Sequence, residues 1–250
     1  MKKSLILSSL LLLLSCSKDQ SIEATKAINS INFIHTVDRN SLILGADTCC
    51  TEGSLLPYTN ANGQKYNVQR LMYLISDIKL HTESETYNIK DIHYVNFEDP
   101  STHIIDFNGL NLDNLNYNAI SFTMGLNNDM NLNNNFINNS WHSTMFWPIT
   151  MGGGYHYMKL EGDFNTDSTT FNTHTGPTMS MDHSFNKYFN FDLQNTRKSN
   201  ISIIVNMNIN NWFTNPNEYV LTNDGIMMNM TSQMQLMDNG SEDVFSISID

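Results

Sequence analysis

Histidine, methionine and tryptophan concentrate between residues 141 and 176 of the 250-residue chain. Within this stretch, His156 and His174 supply imidazole nitrogens, while Met145 and Met158 supply thioether sulfurs. Imidazole suits copper in either oxidation state and soft thioethers select Cu(I), so these residue types predict copper chemistry. A structural zinc site usually presents paired cysteines or histidines at short fixed spacing, and this sequence has no such pairs.

A third candidate ligand, His35, shares one parity with Phe33 and Val37 in a predicted strand. An unpaired imidazole on an apolar face is costly, so we expect His35, His156 and His174 to converge at one end of the fold. The competing interpretation is that these are structural histidines bonded to backbone carbonyls. A lower-ranked set of ligands shares another strand parity: Met179, Met181 and His183.

The three glycines 152–154 predict a turn, and clean alternation predicts a strand from Tyr155 to Glu161. In that strand His156 and Met158 share the predicted buried face, which would place an imidazole beside a thioether.

Alternating apolar residues recur along the chain, most clearly over residues 201–209, and they predict about eight strands with turn signals between them. One helix is predicted from Asn223 to Met237, with Asn239-Gly240 as its stop signal. We therefore expect an all-β fold, an antiparallel β-sandwich with one short helix near the C-terminus, formed by residues 31–250 as a single domain.

The N-terminus has the pattern of a bacterial lipoprotein signal peptide. Two lysines precede a short apolar run, which ends in Leu-Leu-Ser-Cys at Cys16. The run is too short to span a membrane as a helix. We expect residues 1–16 to form the signal, Cys16 to be lipidated, residues 17–30 to form a tether, and the protein to be anchored at the periplasmic or cell-surface face of the outer membrane.

The net charge is −12 and would become −14 without Lys2 and Lys3 of the signal, which argues against nucleic acid as a partner. Cys49 and Cys50 are adjacent. They could form a disulfide with each other, pair with another chain, or remain free thiols able to bind Cu(I).

Six segments, in this order, carry a resemblance to a known family: FIHTVDRNSLILG, YTNANGQKYNVQRLMYLISDIKL, AISFTMGLN, MFWPITMGGGYHYMKLEG, FNTHTG and EDVFSI. They resemble the MbnP-like family, which comprises methanobactin-associated copper-binding lipoproteins and their relatives in Bacteroidota. The resemblance implies a secreted or surface β-sandwich that binds copper. In some methanotroph members, a partner di-haem peroxidase oxidises one tryptophan to kynurenine. Trp147 matches the tryptophan of the family's Met-aromatic-Trp motif, Tyr155 matches its Gly-Tyr position, and His35 and His174 match its histidines.

No catalytic triad, paired catalytic carboxylates, phosphate-binding loop or haem motif occurs in the sequence, so we do not expect an enzyme. The leading hypothesis is a copper-binding envelope lipoprotein used in metal capture or storage. The alternative is a surface binding or adhesion module in which tryptophan and tyrosine grip a glycan or partner protein. A third hypothesis is an envelope redox enzyme that uses bound copper, which would need an open coordination position on the metal.

Overall fold

The structure is a computed structural model that describes residues 27–45, 55–107, 116–166, 169–179, 181–193 and 200–250. The predicted signal peptide, lipidated Cys16 and the Cys49-Cys50 pair lie outside these ranges. Among the described residues, no helix is both long and apolar enough to cross a membrane.

Strands dominate the described part of the chain. In order they are β1 (Ala27–Val37), β2 (Asn40–Ser41), β3 (Tyr58–Thr59), β4 (Lys65–Tyr66), β5 (Arg70–His81), β6 (Thr86–Asn96), β7 (Ile104–Asp106), β8 (Ala119–Met124), β9 (Met158–Asp163), β10 (Thr170–Thr175), β11 (Phe185–Asn190), β12 (Asn200–Asn208) and β13 (Phe245–Ile249). The α-helices are α1 (His142–Met145) and α2 (Met230–Glu242), and short 3₁₀ helices span Pro100–His103, Ile149–Met151 and Ile209–Phe213.

The strands form two main sheets and one small hairpin. The first sheet has the order β13-β12-β1-β2, with β7 also paired to β1. The second has the order β10-β9-β5-β8-β11, with β6 also paired to β5. The expected all-β class is confirmed, but β1 and β12 pair in parallel, so the sandwich is not antiparallel throughout.

Apolar side chains from both sheets interdigitate in one main core. Ile31 and Val205 of the first sheet are buried there with Tyr73, Leu160 and other residues of the second. The alternating burial of β1 and β12 follows from the two-residue side-chain period of a strand. A smaller apolar cluster, which we call the outer cluster, lies apart from this core: Met72, Leu74, Leu126, Trp141, Met145, Tyr155 and Tyr157.

Several element boundaries differ from the sequence predictions. Strand β1 begins at Ala27, so the predicted tether loses its last residues to the first sheet. The predicted helix over Asn223–Met237 instead begins at Met230, because the side chain of Asn229 accepts a hydrogen bond from the Ser232 backbone and caps it.

The predicted stop signal Asn239-Gly240 lies inside α2 and faces the protein interior. A Cβ atom at Gly240 would lie 2.4 Å from the Phe185 ring, so the glycine permits close packing. Asn239 donates a hydrogen bond to the backbone oxygen of Trp212 at 2.8 Å. The buried face of α2 is therefore formed by Gln233, Leu236, Asn239 and Gly240.

Candidate metal centre

The candidate site lies where two strands meet along one edge of β5. Strand β9 pairs with Arg70–Tyr73, and β8 pairs with residues 75–81 of the same strand. At the junction, Leu74 donates a hydrogen bond to the backbone oxygen of Tyr157 and accepts one from Gly125. The long connection between β8 and β9 starts and ends here, and it contributes most of the outer cluster.

His156 stands just before β9 and not within it. The predicted strand from Tyr155 is wrong at its start, because β9 begins at Met158. Gly152, Gly153 and Gly154 all have positive φ and turn the chain. The backbone N–H of His156 then donates to the Met145 carbonyl at 2.6 Å, instead of joining a strand ladder.

The imidazole of His156 is 5% exposed and has one hydrogen-bonded nitrogen. Its Nδ1 lies 3.1 Å from the Met145 carbonyl oxygen, which can only accept, so Nδ1 carries the hydrogen. Among the described residues, Nε2 of His156 has no partner although it is buried. A buried nitrogen lone pair is thus available at this position.

His174 lies on the outer face of β10 and is held by a carboxylate. Its Nε2 donates to Oε1 of Glu161 at 2.8 Å, so Nδ1 bears the lone pair in the neutral ring. Lys159 is the register partner of His174 across the β9–β10 ladder, and its Nζ lies 4.0 Å from the same Glu161 oxygen.

The two imidazoles meet edge to face. Their ring centroids are 5.0 Å apart at an interplanar angle of 85°. Trp147 packs against His156 with centroids 4.8 Å apart, and its side chain is fully buried. A Cβ atom at Gly176 would lie 2.5 Å from Cζ3 of Trp147, so only glycine lets the indole seat at this depth.

Electrostatics favour a neutral His156. Burial, and secondarily the charge of His174, lower its pKa from 6.5 to about 3. Burial alone would raise the pKa of Glu161, but the hydrogen bond and charge of His174, with Arg70 and Lys159, lower it below its ordinary value. The site therefore combines a neutral imidazole with an ionised carboxylate at neutral pH.

His35 does not join this pair, so the predicted convergence of three histidines is wrong. Its Nε2 lies 2.9 Å from the Tyr73 hydroxyl, inside the main core. His174, by contrast, is on the outer face of the second sheet. The ring of His35 instead contacts Phe97 and His103, with centroids 5.3 Å away in each case.

The two predicted sulfur ligands are also placed differently. Met158 is opposite Thr175 in the β9–β10 ladder and its side chain is in the main core, on the other face from His174. Met145 is fully buried in the outer cluster and reaches His156 through its backbone carbonyl. Tyr155 is fully buried as well, with its hydroxyl 3.0 Å from Nδ1 of His142.

Comparison with known proteins places the chain in a family. The family model described as MbnP matches residues 26–232. The chain belongs to the MbnP family. Among solved structures, MbnP from Methylosinus trichosporium superposes with a TM-score of 0.54 at 11% sequence identity, covering 88% of this chain and 98% of that one. None of the curated proteins compared with the chain matches it.

Family membership confirms the resemblance expected from the sequence motifs, and the likeness to the Methylosinus MbnP shows a shared fold. On this fold Trp147, His156 and His174 come together, although His174 lies on a separate strand, β10. Two residues matched from the family motifs, Trp147 and His174, therefore lie next to His156.

Two residues of the site were not anticipated. Glu161 looked like an ordinary exposed strand residue, and its role depends on the neighbouring strand β10. Gln233 of α2 is fully buried and accepts from the Gly176 backbone at 3.1 Å, while it donates to the His174 carbonyl at 2.7 Å. A glutamine among methionines on a predicted helix was the available sequence signal for it.

The donor type of the pair, imidazole nitrogen, suits a metal ion. No group of three or more His, Cys, Asp or Glu residues is placed to hold a metal within the described ranges. Two observations favour metal binding by this pair. Nε2 of His156 is buried without a partner among the described residues, and one nitrogen of each ring is hydrogen-bonded to an oxygen. Metal-binding histidines typically donate their other N–H to a carbonyl or carboxylate, as His156 and His174 do here.

Proposed function

We propose that this protein is a copper-binding lipoprotein of the bacterial outer membrane, used in metal capture or storage. The observation that carries the proposal is the buried lone pair of His156 beside the carboxylate-held ring of His174. His156 would bind copper through Nε2 and His174 through Nδ1. Imidazole nitrogen suits copper, and a water or soft ligand would complete the coordination.

The chain's own residues would tune this centre. Glu161 keeps the N–H of His174 on Nε2 and thereby leaves Nδ1 free for a metal. The Met145 carbonyl does the same for His156. Trp147 shields one side of His156 with a fully buried indole, which excludes water from that side.

A role as a glycan or protein adhesion module has less support. The two aromatic residues that match the family motifs, Trp147 and Tyr155, are both fully buried and so cannot contact such a ligand from solvent. The remaining tryptophans, Trp141 and Trp212, are buried too. We therefore rank metal binding first and propose no catalytic activity for the chain by itself.

Two further parts of the proposal come from the sequence and the family resemblance. Lipidation at Cys16 would provide the attachment to the outer membrane. A di-haem peroxidase is the proposed protein partner, and Trp147 would be the residue on which it acts, because that indole lies against a candidate copper ligand.

Metal analysis of the protein tests the central claim. The chain should be purified without a metal-affinity tag, exposed to equimolar copper and zinc, and desalted. We expect copper to be retained in preference to zinc. Retention of neither metal by the folded protein would contradict the proposal.

A further inference from the structure

A small cavity lies behind the candidate metal centre, between the end of β8, the end of β10 and α2. Met124, His183, Trp212, Gln233 and Met237 are among the residues that line it. The cavity has room for about one water-sized particle, which also suits a single metal ion.

His183 presents an unused nitrogen lone pair in this region. Its side chain is 4% exposed, and its Nδ1 lies 3.2 Å from the backbone oxygen of Gly176. The carbonyl can only accept, so Nδ1 carries the hydrogen and Nε2 bears the lone pair. Within the described part of the chain, Nε2 of His183 is buried and has no partner.

Two methionines, Met124 and Met237, line the same cavity. Met124 at the end of β8 is 1% exposed, and Met237 of α2 is partly buried. The lining residues include no carboxylate and no thiol, so nothing there would neutralise a divalent ion. Neutral nitrogen and thioether ligands in such a place favour a soft, singly charged ion over Zn²⁺ or Ca²⁺.

Trp212 also lines the cavity. Its ring could stabilise a cation through its negative face. Its Nε1–H is also buried without a partner among the described residues, and that group cannot bind a metal. A water molecule that accepts from Trp212 and donates to His183 would satisfy both nitrogens, so it is the competing occupant that an experiment must separate from a metal.

We propose that His183, Met124 and Met237 form a second site that binds one Cu(I) ion. This site goes beyond the His156–His174 centre and does not depend on it, although the two are neighbours. Gly176 joins them, because Trp147 packs on its Cα while its carbonyl accepts from His183. Gln233, which lines the cavity, also bonds to the backbone of His174.

The test uses a chain whose first centre has been removed by His156→Ala and His174→Ala. This double variant is loaded anaerobically with Cu(I) and ascorbate, desalted, and analysed for copper content and by X-ray absorption. We expect about one equivalent of copper with sulfur scatterers in its coordination shell. Adding His183→Gln, or Met124→Leu together with Met237→Leu, should abolish that copper.

Met158→Leu is the matched control, because Met158 is a buried methionine of the main core and should leave the copper content unchanged. Methionine-to-leucine changes conserve volume, and near-ultraviolet circular dichroism checks that each variant is folded. The proposal is overturned if the folded double variant retains no Cu(I), or if its copper survives both sets of cavity substitutions. A crystal structure of the Cu(I)-loaded protein with a water between Trp212 and His183 would also overturn it.

The same measurements separate this site from the proposed function. If the His156–His174 centre binds no copper, the unmodified chain and the double variant will hold equal amounts, both sensitive to His183→Gln. If the second site is absent, copper will be lost with the first centre alone.

Discussion

His156 and His174 lie edge to face with ring centroids 5.0 Å apart, and each ring donates through one nitrogen to a fixed oxygen acceptor. The acceptors are the Met145 carbonyl and the Glu161 carboxylate. Each ring thus leaves a nitrogen lone pair, and in His156 this lone pair is buried without a partner among the described residues. This relationship is the basis of the predictions for His156, His174 and Glu161.

Removal of either imidazole should weaken copper binding. We expect His156→Ala and His174→Ala each to reduce copper affinity by more than about 10-fold, since two imidazoles are the minimum donor set of the centre. His81→Ala is the control, because His81 bonds to Thr86 and Ser121 away from the site. Affinity is measured by competition with a chelator of known strength, and unchanged affinity in both folded variants would refute the site.

His35→Ala tests whether His35 is a core residue, as in the structure, or a copper ligand, as predicted from the sequence. The His35 ring packs in the core against Tyr73 and Phe97, so its loss should lower stability and leave copper affinity at the His156–His174 centre unchanged. Urea unfolding and the same chelator competition provide the two readings. A loss of copper affinity equal to that of His174→Ala would restore His35 to the site.

Glu161→Gln should weaken copper binding without removing a ligand. An amide can also present its N–H to His174, so the ring would no longer be held in one tautomer, and losses of about 10–100-fold are typical of such changes. Glu83→Gln is the control at an exposed carboxylate on the β5–β6 turn. Wild-type affinity in Glu161→Gln would mean that the carboxylate does not orient His174.

Gly176→Ala should displace Trp147. The added Cβ would lie 2.5 Å from the indole, and overpacking of this kind costs about 1–3 kcal/mol of unfolding free energy. Gly225→Ala is the matched control, because a Cβ there meets no atom within 4 Å. The measurements are urea unfolding and tryptophan fluorescence, and equal stability of the two variants would show that the indole adjusts freely.

Acid should destabilise the fold through His35. Burial, and secondarily the charge of His103, lower the pKa of His35 to about 3. The unfolded chain takes up this proton below about pH 6.5, so the contribution is complete above that pH and declines as the pH falls towards 3. At about pH 5 the loss from this group is about 2 kcal/mol relative to pH 7.

His35→Asn should flatten this dependence of unfolding free energy on pH, as followed by urea unfolding at several pH values. Tyr73→Phe is the control, because it removes the hydrogen-bond partner of His35 but leaves the imidazole buried. A slope in His35→Asn as steep as that of Tyr73→Phe would assign the acid sensitivity to other groups.

Membrane attachment is tested through the predicted lipidation site. Cys16→Ala should leave an unprocessed precursor in membrane fractions and abolish labelling by a radioactive fatty acid. Cys49→Ala serves as the control, since Cys49 lies far from the cleavage motif in sequence. Normal processing and labelling of the Cys16 variant would exclude the lipoprotein assignment.

Side-chain alternation predicted only part of the strands, since about eight were expected and the described residues form thirteen. The segment 201–209, where alternation was clearest, corresponds to β12 (Asn200–Asn208). Alternation of side chains is a property of a single strand, so it can be read without knowing the strand's neighbours. Helix α2 was shifted because its true start depends on the capping side chain of Asn229.

The sequence by itself determined the all-β class, the alternating strand over residues 201–209 and the family resemblance. Tertiary structure alone decided which histidines meet. Strand pairing put His174 on the outer face beside Glu161. Packing of the two sheets put His35, whose parity already predicted a buried side chain, against Tyr73 and away from that pair. Such choices depend on register between residues far apart in the chain, and a shift of one residue reverses the face of every side chain.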